Sequence, residues 1–350
     1  MKIAINGLGR IGSGFLRSLY SEKQEDKFTV VAIKDYLPGV SEKDLAKNLT
    51  YLLQNDSIYG RFPGKVEWED NCIIINNLSI PVINSCSSLD INWDNYGTQI
   101  LIEASGDSSN IEDSNKIISK NQNLNKIIIT RNAQIADKTI IFGVNETSYH
   151  EQSDNVLSLS TCTGNAIAGL VEFIDKNFII KNGSLSTIHP VLSSEKLLDN
   201  KNMDFNIGRA AKNIKVTNTG VVKSLQVLFP HLKGKFIENA ISFRIPTDIV
   251  SIVQATINTE SKLEINELKS KLEETFSDKD VPGMRLSYGN LGFPLVATDF
   301  IGNSSSAILD MLSLDVNDNM LSAFVWHDNE MGYAYRILDC LNLINGNTKS

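Results

Sequence analysis

The first part of the chain combines short apolar runs with one segment of helical periodicity. Apolar residues occupy Ile3 to Ile5, and the next apolar positions, from Ile11 to Leu19, recur with the spacing of one helix face. A second apolar run over 28–33 predicts another strand. The order strand, turn, helix, strand predicts a βαβ unit that opens the chain, because parallel strands need a crossover helix between them.

The turn between this first strand and the helix has glycines in the spacing G-x-G-x-x-G. Such glycines allow a tight turn, a close approach of backbone to a pyrophosphate, and close packing of helix on strand. Asp35 follows the second strand, 23 residues after the last glycine, where a carboxylate accepts from ribose hydroxyls and favours NAD over NADP. The alternative, a glycine-rich turn without a ligand, fits the flanking strands and the acid less well. The predicted NAD contacts here are Gly7, Gly9, Arg10, Ile11, Gly12 and Asp35.

The middle of the chain is predicted to form short strands. Runs at 65–68, 72–75 and 80–83 are followed by longer apolar segments, which predict buried strands at 99–103, 126–130 and 139–145. Ligands of parallel sheets lie outside the carboxyl ends of strands. Ser105 and Thr130 stand at two such ends and are predicted cofactor contacts, with ordinary loop residues as an even alternative. The polar loop over 145–155 indicates a domain boundary near 150–165.

A cysteine stands at a second strand-to-helix transition. The short apolar run at 157–160 leads into Thr161-Cys162-Thr163, and helical spacing follows from Ile167 to Ile174. A helix N-terminus stabilises a thiolate, the reactive form of cysteine, and a histidine partner serves as base. His189, directly after a predicted strand at 184–188, is that partner. Inert packing is the alternative for any single cysteine.

Composition excludes several classes of protein. The 350 residues predict two domains, and a net charge of −8 argues against a bulk nucleic-acid binder, which needs a basic surface. The cysteines have neither C-x-x-C nor zinc-site spacing, so a reducing cytoplasm without a structural metal is expected. No run of about 18 apolar residues predicts a membrane span. No role is predicted for the other three cysteines, Cys72, Cys86 and Cys340.

Four motifs together resemble the glyceraldehyde-3-phosphate dehydrogenase family, in the order and spacing of that family. They are the glycine motif at 6–12, Ser160-Thr161-Cys162-Thr163-Gly164-Asn165, Arg244-Ile245-Pro246-Thr247, and 326–333, which reads Trp-His-Asp-Asn-Glu-Met-Gly-Tyr. The resemblance implies an α/β fold: an N-terminal Rossmann dinucleotide-binding domain and an α+β catalytic domain with a mostly antiparallel sheet. It places the NAD-binding domain at 1–161 and the catalytic domain at 162–328. The C-terminal helix within 329–350 is expected to pack back on the first domain.

The resemblance also implies a mechanism and a set of site residues. Cys162 attacks an aldehyde, His189 takes the hydroxyl proton as hydride passes to NAD, and inorganic phosphate cleaves the thioester. Asn329 is expected to orient the nicotinamide amide. The attacking phosphate is assigned to Thr161, Thr163, Arg209, Thr219 and Gly220, and the substrate phosphate to Arg244. A structural salt bridge is the alternative for both arginines. The family is usually tetrameric, so a homotetramer without nucleic acid or membrane partners is expected.

Several positions depart from the family pattern. Leu192 replaces a threonine three residues after the histidine, and Asn206-Ile207 replace an arginine pair. The loss of one hydrogen bond to a charged phosphate costs about 1.5–3 kcal/mol, which retunes a substrate without abolishing catalysis. Erythrose-4-phosphate dehydrogenases also lack that threonine, so oxidation of another phosphorylated aldehyde stays open, as does a non-catalytic NAD-binding interaction protein. Lys201 lies in a loop that in the family approaches the adenosine ribose, and a lysine there tolerates a 2′-phosphate; Asp35 outweighs it in favour of NAD.

Overall fold

The computed structural model describes residues 1–192, 195, 212–276, 283–289 and 293–346. Within these residues the chain forms two large sheets, each packed against helices. The helices are α1 (Arg10–Ser21), α2 (Glu42–Gln54), α3 (Ser108–Glu112), α4 (Ser114–Lys120), α5 (Cys162–Phe178), α6 (Val221–Leu228), α7 (Ile265–Thr275) and α8 (Met331–Ile344). The strands are β1 (Lys2–Asn6), β2 (Thr29–Asp35), β3 (Asn55–Asp56), β4 (Gly60–Arg61), β5 (Val66–Glu69), β6 (Cys72–Ile75), β7 (Leu78–Asn84), β8 (Ile100–Glu103), β9 (Lys126–Ile129), β10 (Lys138–Thr139), β11 (Val156–Ser158), β12 (Ile180–Pro190), β13 (Lys215–Asn218), β14 (Ile241–Ile245), β15 (Ser251–Thr259), β16 (Met284–Ser287), β17 (Ala307–Asp310), β18 (Asp315–Asn317) and β19 (Met320–His327).

The first sheet has the strand order β10-β11-β9-β8-β1-β2-β7-β6-β5. From β10 to β7 all neighbours are parallel, and β6 and β5 extend the sheet as antiparallel strands. The parallel strands are apolar along their length because both faces are covered. In β8, for example, all four residues are buried. The carboxyl ends of β1, β2 and β8 meet at one edge, beside the glycine turn.

The second sheet has the order β13-β14-β12-β15-β19-β17-β16, with β18 paired to β19. It is mostly antiparallel; β12 with β14 and β16 with β17 are its parallel pairs. Residues alternate between buried and half-buried along β15, which is the pattern of a strand with one covered face. The long helix α5 packs across β12, β15 and β19 on that face. Its first residue is Cys162, so the covered face begins beside the cysteine.

The C-terminal helix returns to the N-terminal helix. Phe15 and Leu19 of α1 share one buried apolar core with Ile337 and Leu341 of α8. Both helices lie on the first sheet, although α8 directly follows the last part of the second. No helix in the described ranges is both long enough and apolar enough to cross a membrane.

The strand predicted over 139–145 is largely wrong, because only Lys138–Thr139 pairs as a strand. The chain turns instead at Gly143, whose φ of 80° is a left-handed conformation. The side chain of Asn145 stabilises this turn: its Oδ1 accepts from the Ile141 N–H at 2.7 Å, and its Nδ2 donates to the Thr139 carbonyl at 2.9 Å. A polar side chain that bonds its own backbone competes with the strand ladder.

Candidate active site

The glycine turn is built so that only glycine fits its first and last positions. A Cβ on Gly7 would lie 2.5 Å from the Ser105 Cα, and one on Gly12 would lie 2.1 Å from the Gly7 carbonyl oxygen. A Cβ on Gly9 would meet nothing within 4 Å. The backbone at Gly9 therefore faces open space at the N-terminus of α1, where unpaired N–H groups and the helix dipole favour an anion. These residues fit the pyrophosphate of a dinucleotide.

Asp35 ends β2 beside this turn, and two backbone groups fix its carboxylate. Oδ2 accepts from the Leu8 N–H at 2.8 Å, and Oδ1 accepts from the Tyr36 N–H at 2.7 Å. Each oxygen keeps a lone pair for a further hydrogen bond. The side chain is half-buried, so the carboxylate is held rigidly while it stays open to a ribose diol.

Ser105 and Thr130 lie at the same edge of the sheet, but their hydroxyl groups donate hydrogen bonds within the protein. Ser105 donates both its N–H and its hydroxyl to the buried Glu103 carboxylate, and Thr130 Oγ1 donates to the Glu103 carbonyl at 2.9 Å. Asn6 also donates to that carboxylate. Burial raises the pKa of Glu103, against the opposing effect of these hydrogen bonds. Both predicted cofactor contacts are therefore hydrogen-bonded to Glu103 at the end of β8.

Arg10 directs its guanidinium away from the glycine turn. Its Nη2 lies 2.6 Å from a Glu330 carboxylate oxygen, and its Nη1 lies 2.5 Å from an Asp56 oxygen. These two carboxylates raise the pKa of Arg10, and the arginine in turn lowers the pKa of Asp56. The Arg10 guanidinium is thus paired within the protein, and the partly buried Ile11 side chain packs against the apolar core.

Cys162 is the first residue of α5, in a turn that two side chains secure. Thr161 caps the helix, its Oγ1 accepting from the Gly164 N–H at 3.0 Å. Ser160 has a φ of 59°, an uncommon left-handed conformation for a residue with a side chain. The Tyr333 hydroxyl donates to the Ser160 carbonyl at 3.1 Å, so α8 holds the turn that presents the cysteine.

Burial shifts the pKa values of Cys162 and His189 in opposite directions. Burial raises the pKa of Cys162, while a hydrogen bond from Thr163 and the charge of Arg244 act in the opposite direction. The helix N-terminus, which is expected to favour a thiolate, acts against this effect of burial. Burial also lowers the pKa of His189 to about 4, assisted by the charge of Arg244.

The hydrogen bonding of His189 defines its tautomer. Nδ1 lies 2.9 Å from the Pro190 carbonyl, which can only accept, so Nδ1 carries the proton and Nε2 the lone pair. In the part of the chain that the structure describes, no hydrogen bond joins His189 to the Cys162 sulfur, whose own partner is Thr163 Oγ1 at 3.8 Å. His189 is therefore a neutral acceptor, and its Nε2 is free for a substrate proton.

A row of five polar side chains crosses the covered face of the second sheet. Strand pairing aligns Lys215 with Arg244, Arg244 with His189, and Ser251 with His327. His189 follows the paired residue Ile188, which lies opposite Ile252, so it stands beside Ser251. Residues paired across adjacent strands point to the same face. The row runs in the order Lys215, Arg244, His189, Ser251, His327.

The Arg244 guanidinium makes no close ion pair with the residues that the structure describes. Its Nε and Nη1 are buried and make no hydrogen bond to the described residues. The Glu195 carboxylate lies 4.0 Å from Nε and 3.6 Å from Lys215 Nζ. The alternative for this arginine was a structural salt bridge. The structure shows only a long contact between Arg244 and Glu195. A buried arginine beside a second cation suits a phosphate group.

The remaining predicted anion residues lie where two helix N-termini meet. Thr161 Oγ1 at the start of α5 lies 3.4 Å from Ser224 Oγ in α6, and Gly220 directly precedes α6. Thr163 is buried, Thr219 is half-buried and Gly220 is exposed. The structure thus brings Thr161 and Thr163 close to α6. The predicted contact Arg209 lies outside the described residues, as do Lys201, Asn206 and Ile207.

Two residues of this site, Ser251 and His327, were not predicted from the sequence. Ser251 Oγ donates to Asn329 Oδ1 at 3.3 Å, which leaves the Asn329 NH₂ group free to donate to a ligand. Ser251 belongs to none of the sequence motifs, because only the pairing register of the strands brings it beside Asn329. His327 lies within the fourth motif, but nothing in the sequence shows that its ring faces the site.

Comparison with known proteins agrees with this geometry. A family model described as the NAD binding domain of glyceraldehyde 3-phosphate dehydrogenase matches residues 1–111, and the model of its C-terminal domain matches residues 161–329. The chain belongs to the glyceraldehyde-3-phosphate dehydrogenase family. The chain is 31% identical to glyceraldehyde-3-phosphate dehydrogenase 1 of Bacillus cereus, over 97% of this chain and 96% of that protein. The identity to the enzyme of Chlamydia pneumoniae is also 31%, over the full length of both chains. It is 34% to the chloroplastic GAPB enzyme of Arabidopsis thaliana, over 98% of this chain and 74% of that protein.

Membership of this family confirms three predictions: the resemblance itself, the fold class and NAD as the cofactor. It makes the chain an NAD-dependent oxidoreductase by family. Among the residues that the structure describes, no group of three or more His, Cys, Asp or Glu side chains is arranged to hold a metal ion.

Proposed function

We propose that this protein oxidises glyceraldehyde 3-phosphate with NAD and inorganic phosphate to an acyl phosphate. The observation that carries the proposal is Cys162 at the start of α5, at the edge of a sheet face that presents His189 and Arg244 in one row. NAD binds at the glycine turn and Asp35, and when bound it supplies the hydride acceptor.

The covalent step uses Cys162 and His189. The Cys162 thiol gives its proton to His189 Nε2 and the sulfur attacks the aldehyde carbon, which forms a C–S bond and, as the carbonyl π bond breaks, an oxyanion. The Cys162 N–H at the helix N-terminus and a protonated His189 stabilise that oxyanion, which takes up a proton to give a hemithioacetal. His189 Nε2 then removes the hydroxyl proton while hydride leaves the same carbon, so the product is a thioester.

The second half of the reaction regenerates the thiolate. Inorganic phosphate attacks the thioester carbon, the C–S bond breaks, and Cys162 leaves as thiolate with release of the acyl phosphate. Hydroxyls and N–H groups at the start of α5 and α6 suit a tetrahedral oxyanion, so we assign the attacking phosphate to Thr161, Thr163, Thr219 and Gly220, together with Arg209. The substrate's own phosphate is assigned to Arg244.

The test is NADH formation from glyceraldehyde 3-phosphate with and without phosphate or arsenate. We expect turnover that depends on the oxyanion, and a loss of kcat of at least about 1,000-fold in Cys162→Ser, because a hydroxyl is a far weaker nucleophile than a thiolate. Cys86→Ser, at an exposed free cysteine, is the matched control and should keep full activity. A rate independent of phosphate would exclude the phosphorolysis step. Activity absent from the wild type would favour a non-catalytic NAD-binding protein.

A different phosphorylated aldehyde is the second candidate, and two observations favour it. Leu192 presents an apolar, partly exposed side chain where the family has a threonine hydroxyl, and the Glu195 carboxylate faces Arg244. A panel of C3 to C5 phosphorylated aldehydes, including erythrose 4-phosphate, should be ranked by kcat/KM. A wide margin in favour of glyceraldehyde 3-phosphate would reject this candidate.

We also propose a homotetramer built from subunits that divide at residues 161 and 162, with α8 packing on the first domain. The open face of the second sheet carries exposed apolar side chains, among them Val216 and Ile241 on β13 and β14. Exposed apolar patches mark contact surfaces. Light scattering coupled to size exclusion would give about four times the 38.7 kDa chain mass if the tetramer forms.

A further inference from the structure

His327 is a buried histidine without an internal partner. Its side chain is 1% exposed, and neither Nδ1 nor Nε2 makes a hydrogen bond to any described residue. A buried polar atom without a partner has lost its hydration and gained no hydrogen bond in return. Such atoms are uncommon in folded proteins and call for a specific explanation. Here two of them belong to one ring at the edge of the candidate active site.

The position of His327 in the row suggests which part of a ligand it meets. Lys215 and Arg244 occupy one end, which is assigned to the substrate phosphate, and His189 follows at the reacting carbon. Adjacent strands are about 4.8 Å apart, so each residue in the row advances by that distance along the site. His327 lies two strands beyond His189, at the end away from the phosphate. A ligand that reaches this end extends past the reacting carbon.

The neighbours of His327 belong to the same end. Asn329, two residues later in the chain, is buried, and Ser251 holds its Oδ1 so that the NH₂ group is free. Burial lowers the pKa of His327 to about 3, with a smaller contribution from His189, so the ring is neutral near pH 7. A neutral imidazole offers one N–H donor and one acceptor. A carboxamide offers the complementary acceptor and donors.

We propose that His327 binds the carboxamide of the nicotinamide ring, together with Asn329. This inference rests on the proposed function only for the orientation of the ligand along the row. Asn329 donates to the carboxamide oxygen, and the His327 ring accepts from the carboxamide NH₂. One ring nitrogen and one amide thereby fix the rotation of the carboxamide, and with it the ring face that meets the reacting carbon.

Calorimetric titration of the full-length protein with NAD and with ADP-ribose, which lacks the nicotinamide, tests this inference without any aldehyde. His327→Phe should weaken NAD binding by about 3- to 10-fold, the value of a neutral hydrogen bond, and leave the Kd of ADP-ribose within about two-fold. His327→Gln keeps a donor and an acceptor and should recover most of the loss. His231→Gln is the matched control, because His231 is exposed and bonded to Asp175.

Two results would overturn the inference: an unchanged Kd for NAD in His327→Phe, or an equal loss for NAD and ADP-ribose, which indicates a structural role. If His327→Phe does not fold, the 3-acetylpyridine analogue of NAD, which lacks the NH₂ group, replaces it. The wild type should bind this analogue more weakly than NAD, and His327→Gln, which keeps an acceptor, should show a similar penalty; equal affinities in the wild type would reject the proposed contact. These Kd values do not depend on turnover, so they stand apart from a failure of the proposed aldehyde oxidation.

Discussion

The nucleotide edge of the first sheet and the polar row of the second sheet differ in how far their side chains are hydrogen-bonded within the protein. At the nucleotide edge, Asp35, Glu103 and Ser105 are hydrogen-bonded to neighbouring groups, and Asn6 Oδ1 is a buried oxygen without a partner among the described residues. In the row, Arg244 and His327 each retain two buried nitrogens that make no hydrogen bond to the described residues. The first region is a rigid cradle that presents backbone to its ligand. The second places side chains whose hydrogen bonds a ligand must complete.

This difference predicts which kind of substitution should damage each region. In the first region, an added side chain should disrupt the turn wherever the backbone leaves no space for it. In the row, removal of one functional group should weaken ligand binding while the sheet that carries the row stays folded. Added volume should therefore damage the first region, whereas deleted charge should damage the second.

The largest expected effect comes from Gly12→Ala. The added Cβ would lie 2.1 Å from the Gly7 carbonyl oxygen, so backbone must shift. We expect the free energy of unfolding to fall by about 3 kcal/mol, the upper range for overpacking, and NAD binding to be lost. Thermal unfolding and calorimetry measure both. Gly9→Ala, where the Cβ meets nothing within 4 Å, is the control for stability. Equal destabilisation by the two variants would contradict the tight turn.

The second prediction concerns Arg244→Met, which removes a positive charge from the polar row. The loss of one charged hydrogen-bonding group costs about 1.5–3 kcal/mol, so KM for the phosphorylated aldehyde should rise about 10- to 100-fold, with no change in NAD affinity. Alkylation of Cys162 by iodoacetamide should also slow near neutral pH, because the positive charge that lowers its pKa is gone. Arg244→Lys keeps that charge and should retain the alkylation rate. A wild-type KM in Arg244→Met would remove this residue from the substrate site.

Stability should depend on pH through the two buried histidines. Their pKa values in the folded protein are about 4 for His189 and about 3 for His327, below the value of 6.5 for an unperturbed histidine. Below pH 6.5 the unfolded chain binds protons that the folded chain does not, so stability is lost as pH falls from 6.5 towards 4. Each histidine contributes up to about 1.4 kcal/mol per pH unit.

Melting temperatures recorded from pH 4 to pH 8 measure this dependence. His327→Gln, which has no titrating group, should flatten the profile below pH 6.5, and the exposed His231→Gln should leave it as it is. A slope that is the same in all three proteins would show that carboxylates, and not these histidines, determine the acid stability.

The smallest expected effect is that of Glu195→Gln. The Glu195 carboxylate lies 3.6 Å from Lys215 Nζ and 4.0 Å from Arg244 Nε, where it competes with an incoming phosphate. Its neutralisation should lower KM for the phosphorylated aldehyde by about five-fold, which corresponds to roughly 1 kcal/mol. Steady-state kinetics measure this change, and Glu238→Gln, at a carboxylate bonded to Gln226, serves as control. An increase in KM would assign Glu195 to positioning Arg244.

The sequence predicted the local features well because each depends on near neighbours. The glycine spacing at 7–12 and the capped turn at Cys162 are both read from a few consecutive residues, and both are present. Arg10 shows the limit: the motif does not reveal that its guanidinium pairs with Glu330, a residue 320 positions away. Ser251 and His327 became site residues only through strand register. Register follows from the packing of whole strands, which no local motif encodes.

The return of α8 to α1 bears on how the chain is synthesised. The apolar face of α1, with Phe15 and Leu19, is complete only when Ile337 and Leu341 pack on it. A ribosome makes α1 long before α8, so the N-terminal half carries an uncovered apolar face until α8 is synthesised. Partly exposed apolar surface makes nascent chains prone to aggregation. The final packing step of the nucleotide-binding half must therefore wait until α8 has left the ribosome.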